Sequence, residues 1–153
     1  MNKTQKFFLF LLQIAMGWLF LYAGVTKIFP GLLPQEALVL DWSAAGYLEG
    51  AKTFTGFYHF LTQPNILPII DIVNQWGLAL LGASLILGVF VRLSSILGAV
   101  LMILYYLPIL DFPYPNSNSL IVDQHIVYAV VLLYIAALGS KTGLIKFFRL
   151  FKS

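Results

Sequence analysis

Long apolar runs, broken by short polar patches, dominate the chain. A bilayer core about 30 Å thick needs roughly 20 residues of apolar helix to cross it. Four segments approach that length, over residues 7–29, 67–91, 93–110 and 121–139. The last two are short, so tilt or local thinning of the bilayer is expected to accommodate them. Between the first pair lies an outer segment, 30–66, too long for a plain connection. Ser43 is placed to cap a helix over 44–61. On it Tyr47, Leu48, Ala51, Phe54, Tyr58 and Leu61 share one face, with Glu49, Lys52, Gly56, His59 and Gln63 opposite. Such an amphipathic helix would lie in the outer interface or cover the mouth of the bundle. The connection after the third run, DFPYPNSNSL, is rich in turn formers and predicts an irregular loop.

The 153 residues are 60% hydrophobic and 10% charged, whereas a soluble domain carries about 25% charged residues. At this size a water-soluble fold could not bury so much apolar surface, so lipid is the expected solvent. The first run is longer than the apolar core of a signal peptide, and Leu21-Tyr22-Ala23 is a poor cleavage site. It is therefore expected to persist as a membrane helix.

Charge sets the orientation. Lys3, Lys6, Arg92, Lys141, Lys146, Arg149 and Lys152 fall on one side of a chain that crosses four times. Lys27 and Lys52 fall on the other, with Glu36, Asp41, Glu49, Asp71, Asp111 and Asp123. Basic residues in short loops stay cytoplasmic, so both termini are predicted inside. The tail KTGLIKFFRLFKS interleaves basic and aromatic residues and suits an anchor on the anionic inner leaflet. The expected fold is thus all-α: a single domain over 1–153, an integral membrane four-helix bundle with N-in, C-in topology and an amphipathic outer helix.

Small residues let membrane helices approach closely. Gly17 and Gly24 lie two turns apart in the first helix. Ala79/Ala83, Ser84/Gly88, Ser94/Gly98, Ser95/Ala99 and Ala136/Ser140 are small pairs at helical spacing.

Polar groups within the spans are the candidates for chemistry, because they are costly there. Lys27 shares a face with Gln13, Gly17, Phe20 and Gly24; it either enters the bundle or snorkels to the outer surface. Asp71 and Gln75 share a face continued by Gly82. Asp71 is either a solvated acid at a helix start or a partner of Lys27 or His125. Asp123 and His125 open the fourth helix, and positions two apart do not share a helix face. They read either as a helix-start acid with an interfacial histidine, or as proton-handling groups beside Tyr128. A tyrosine can hold a quinone carbonyl by hydrogen bond. Arg92 at the inner turn is topological, and His59 reads as a surface residue.

The chain has no cysteine and two histidines. That count excludes disulfides, thiol relays and thiolate metal sites, and no haem, zinc or phosphate-loop motif appears. No basic nucleic-acid patch is present.

Several stretches together resemble the DoxX/DoxD family, which includes the small subunit of thiosulfate:quinone oxidoreductase. They are GWLFLYAGVTKIF (17–29), DWSAAGYL (41–48), WGLALLGASLILGVFVRLSSILGAV (76–100) and VDQHIVYAVVLL (122–133). The likeness covers nearly the whole chain in order. It implies a multi-pass protein of a prokaryotic plasma membrane, associated with quinone redox chemistry. In the thiosulfate enzyme that chemistry is the oxidation of thiosulfate outside the membrane. Lys27, Trp42, Tyr47, Trp76, Arg92, Asp123, His125 and Tyr128 match family-typical positions.

The resulting expectation is a subunit of a quinone-dependent oxidoreductase acting at the outer face. Lys27, Asp71, Asp123 and His125 would handle the chemistry, while Gln75, Trp76 and Tyr128 would bind the quinone. Arg92, Gly17, Gly24 and Gly82 would be structural. The bilayer, a redox partner subunit and further copies of the chain are the expected partners. The rival from another class is a non-catalytic assembly protein for membrane partners. A transporter ranks last, because the inner halves of the spans are too apolar for a polar path.

Overall fold

The computed structural model describes residues 1–29, 42–111 and 121–138, and these are helical apart from connecting turns. Residues 30–41 with Glu36 and Asp41, the expected loop at 112–120, and 139–153 with Ser140, Lys141, Lys146, Arg149 and Lys152 lie outside the described residues.

The first helix, α1 (Lys3–Ile28), begins before its apolar run because of a capping box. The Gln5 amide donates to Asn2 Oδ1 at 2.8 Å, and the Asn2 amide donates to Gln5 Oε1 at 2.9 Å. These bonds satisfy amides that every helix start leaves open. Two short helices follow, α2 (Ala45–Glu49) and α3 (Thr55–Leu61). Then come α4 (Leu67–Leu87), α5 (Val91–Ile109) and α6 (Gln124–Leu138). α4 stops at Leu87 rather than at Val91 because Gly88 turns left-handed, with φ 76°. α1, α4 and α5 are long and apolar enough to cross a bilayer, while the described α6 is a shorter apolar helix of 15 residues.

The single outer helix expected over 44–61 is instead broken in two. The Lys52 amide donates to the Pro108 carbonyl at 2.8 Å, and Thr53 Oγ1 donates to the Leu110 carbonyl. Those bonds draw 52–53 onto the end of α5, and Phe54 restarts the chain at φ 54°. Propensity favoured one continuous helix, but the unpaired carbonyls at a helix end claimed its middle. Tyr58 completes the docking. Pro108 has no N–H for the Leu104 carbonyl, and the Tyr58 hydroxyl supplies a hydrogen bond to it at 3.0 Å. Ala44, Leu48, Ala51 and Tyr58 form a small apolar core there, packed on Leu67, Ile70 and Leu107. Phe54, expected on that face, is exposed.

α1 packs on α4 and α5 on α6, with lesser contacts between α4 and α5 and between α1 and α6. The α1–α4 contact is backbone on backbone. A Cβ on Gly24 would strike the Ala79 backbone, and one on Gly82 would strike the Leu21 backbone. A Cβ on Gly17 would sit 3.1 Å from the Gly82 carbonyl. Gly82 continues the line of Gln75 along α4, and it meets Gly17 and Leu21 where Gln75 meets Gly24. Leu85, Val91, Leu132 and Ile135 fill the centre. Outward, Trp18, Leu80, Val130 and Leu133 present an apolar surface suited to lipid.

Gly17 meets Gly82 and Ile86, whereas Gly24 meets Gln75 and Ala79, so α1 and α4 run antiparallel. Lys3, Lys6 and Arg92 consequently share one end of the molecule. Lys27, Lys52, Glu49, Asp71, Asp111 and Asp123 gather at the other, which α2 and α3 cover.

Candidate functional site

Beneath α2, at the acidic end, the helices leave a cleft of about 240 Å³. Each wall comes from a different element. α1 contributes Lys27, the segment entering α2 contributes Trp42 to Ala44, and Tyr47 lies on α2 itself. α4 supplies Asn74, α5 supplies Tyr105 and α6 supplies His125.

Lys27 enters the molecule. Its Nζ donates to Asn74 Oδ1 at 3.0 Å and lies 4.3 Å from the Trp42 ring centroid, a cation–π contact. Among the described residues no carboxylate oxygen lies within 4 Å of it.

Asp123 and His125 meet, although positions two apart were expected to diverge. Asp123 precedes α6 and is its cap, so the rule for faces within a helix does not govern it. Its Oδ1 accepts from the His125 and Ile126 amides at 2.9 and 3.2 Å. Its Oδ2 lies 2.6 Å from His125 Nδ1. The carboxylate side chain is 7% exposed and the imidazole 16%. A carboxylate at Nδ1 accepts a hydrogen bond from Nδ1–H, which fixes the tautomer and leaves the Nε2 lone pair for another partner.

Asp71 pairs with neither Lys27 nor His125. Its Oδ1 accepts from the Ala44 amide at 2.7 Å, the start of the cleft wall. Gln75, one turn along, donates to the Trp42 carbonyl at 3.5 Å. The two share a face as expected, and that face positions residues 42–44. Ser43 Oγ accepts from the Ala45 amide at 3.2 Å.

The remaining candidates scatter. Trp76 points outward, 51% exposed, away from the cleft. Tyr128 packs half-buried against the central core. Arg92 is exposed at the opposite end, and Gly17, Gly24 and Gly82 hold α1 to α4. His59 is exposed, as expected.

Asn74 and Tyr105 were not singled out from the sequence. Asn74 stands between Asp71 and Gln75 in an otherwise apolar helix, and its cost there was the available signal. Tyr105, beside Tyr106 near a helix end, is indistinguishable in sequence from an interfacial aromatic. The Tyr47 hydroxyl donates to the Tyr105 carbonyl. Burial, aided by the nearby Tyr58 and Asp123, pushes the Tyr47 phenol up to about 12, so it stays protonated.

The cleft therefore offers a cation, a carboxylate-oriented imidazole and aromatic walls within one small volume. Comparison of the chain with protein-family models, with curated proteins and with solved structures found no match.

Proposed function

We propose that this chain is a DoxX-like, quinone-linked redox subunit of a prokaryotic plasma membrane, crossing it four times with both ends inside. The quinone headgroup would occupy the cleft under α2. The convergence of Lys27 and the Asp123–His125 pair on that cleft carries the reading. The segregation of basic residues to the opposite end supports the orientation, and the apolar outer surface supports a lipid setting.

The chemistry follows from the groups present. Reduction of a quinone to a quinol takes two electrons and two protons. A redox partner subunit on the outer face would supply the electrons. His125 would pass protons from the outer water, with Asp123 holding the ring in place through Nδ1. Lys27 would sit against the oxygen that gains negative charge. Aromatic walls suit a flat ring.

The test is direct binding. Protein reconstituted with a short-chain ubiquinone or menaquinone analogue should quench Trp42 fluorescence, and Lys27→Ala and His125→Ala should weaken the effect. An absence of binding, or binding that neither change alters, rejects the proposal. Tags at the two termini that map to opposite faces would reject the orientation.

A second reading has its own observation. Phe54, Phe57 and Phe60, on α3 and at its start, are each more than half exposed. That surface would suit a non-catalytic assembly protein that holds a membrane partner. Copurification in mild detergent without quinone binding would favour it.

A further inference from the structure

Chemistry fixes which way the Asn74 amide points. An ammonium only donates, so the atom facing Lys27 Nζ is Oδ1. Nδ2 therefore faces the Tyr105 hydroxyl, and an amide nitrogen also only donates. The Tyr105 oxygen is thus an acceptor towards Asn74, and its own proton is left for another partner. Among the described residues the Tyr105 hydroxyl has Asn74 as its hydrogen-bond partner and no acceptor for that proton.

The surroundings point that proton at the cleft. Tyr105 forms part of the cleft wall, with its ring edge-on to His125 at 6.2 Å and to Tyr47 at 6.1 Å between centroids. The Tyr47 hydroxyl is committed to the Tyr105 carbonyl and does not compete. Lys27 gives Asn74 one of three N–H bonds, and its Nζ lies 5.8 Å from the Tyr105 ring centroid. One side-chain amide therefore holds two donors next to each other, each with hydrogen to spare.

We propose that Tyr105 and Lys27 donate together to a single carbonyl oxygen of the ligand, and that Asn74 is the residue that aims them. This rests on the quinone reading above and specifies how the cleft grips the ring. A carbonyl oxygen has two lone pairs and accepts both bonds at once. The grip tightens as that oxygen gains charge on reduction, because fixed donors in a dry site stabilise developing negative charge. Tyr105 is then a binding residue, and Asn74 a positioning residue that acts through Tyr105 and Lys27.

Infrared difference spectroscopy of a ¹³C-carbonyl-labelled quinone analogue, bound to the reconstituted full chain, tests this. One carbonyl stretch should lie below that of the free quinone. Tyr105→Phe removes one donor, so the stretch should move back up and binding should weaken about tenfold. Asn74→Asp keeps the phenol but replaces a donor with an acceptor. Tyr105 would then turn its proton to the new carboxylate, and the stretch should rise in the same way. A role in packing alone would weaken binding without moving the band of the quinone still bound. Quinone that binds both variants with the wild-type stretch overturns this inference and leaves the quinone reading standing. A wild-type protein that binds no quinone overturns both.

Discussion

The Gln13 side chain, fully buried in α1, donates its amide to the Leu85 carbonyl of α4 at 2.6 Å. The bond repairs a defect that the end of α4 creates. The Gly88 and Val89 amides both go to the Ser84 carbonyl. That leaves the Leu85 carbonyl without a backbone donor among the described residues. In hydrocarbon no water can fill the gap. Gln13→Leu should cost about 1–3 kcal/mol, the penalty of an unsatisfied buried carbonyl. Equilibrium unfolding in mixed micelles measures it.

The glycines separate into two groups. Gly24→Ala and Gly82→Ala should push α1 away from α4 and destabilise by about 1–3 kcal/mol, as overpacking does. A Cβ on Gly77, in the same α4, would meet nothing within 4 Å. Gly77→Ala should therefore be neutral or slightly stabilising. Thermal denaturation in detergent compares the three, and equal effects would contradict the close approach.

Asp123 has two duties that different substitutions separate. Asparagine still caps a helix, whereas alanine does not. Asp123→Ala should lose about 0.5–2 kcal/mol of stability. Asp123→Asn should keep the stability yet, under the function proposed above, slow quinone reduction, because the anion beside His125 Nδ1 is gone. Unfolding and turnover assays on the same two variants decide.

Tyr58 and Pro108 should be energetically coupled. Tyr58→Phe strands the Leu104 carbonyl and should cost about 1–3 kcal/mol. Pro108→Ala restores a backbone N–H at that carbonyl, so Tyr58→Phe should cost less in its presence. A double-mutant cycle reads the difference, and strict additivity would show that the hydroxyl does not serve that carbonyl.

Alkaline pH should loosen the cover of the cleft. The Tyr47 phenol is raised to about 12 in the folded protein, above its ordinary value of 10. Unfolded chain therefore releases this proton first as pH rises. The contribution is fully present below pH 10 and is lost as pH climbs from there towards 12. Tyr58, raised by burial, acts in the same direction. Stability measured between pH 9 and 12 should fall less steeply in Tyr47→Phe than in wild type.

Much of this was legible in the chain, and the rest failed for identifiable reasons. Helical period alone puts Gln13, Gly17, Phe20 and Gly24 on one inward face, and all four are buried. Lys27 shares that face, and its two readings were separated only by its bond to Asn74. For Asp71 the sequence offers a solvated acid or a partner of Lys27 or His125, and the partner is instead the Ala44 amide, 27 residues earlier. Trp76 matched a family-typical position yet faces outward, since a position in a motif does not fix where a ring points. Asp123 and His125 were judged by the geometry of a helix that had not yet begun at Asp123.

Residue order was enough to locate the apolar helices and to separate basic from acidic ends, because hydropathy, period and capping act over a few residues. Which side chains meet was settled by the crossing of helices. Lys27 and Asn74, 47 positions apart, or Gln13 and Leu85, 72 apart, come within hydrogen-bond reach because glycines let α1 and α4 touch. Such contacts depend on axial register and side-chain reach, quantities that no local pattern encodes.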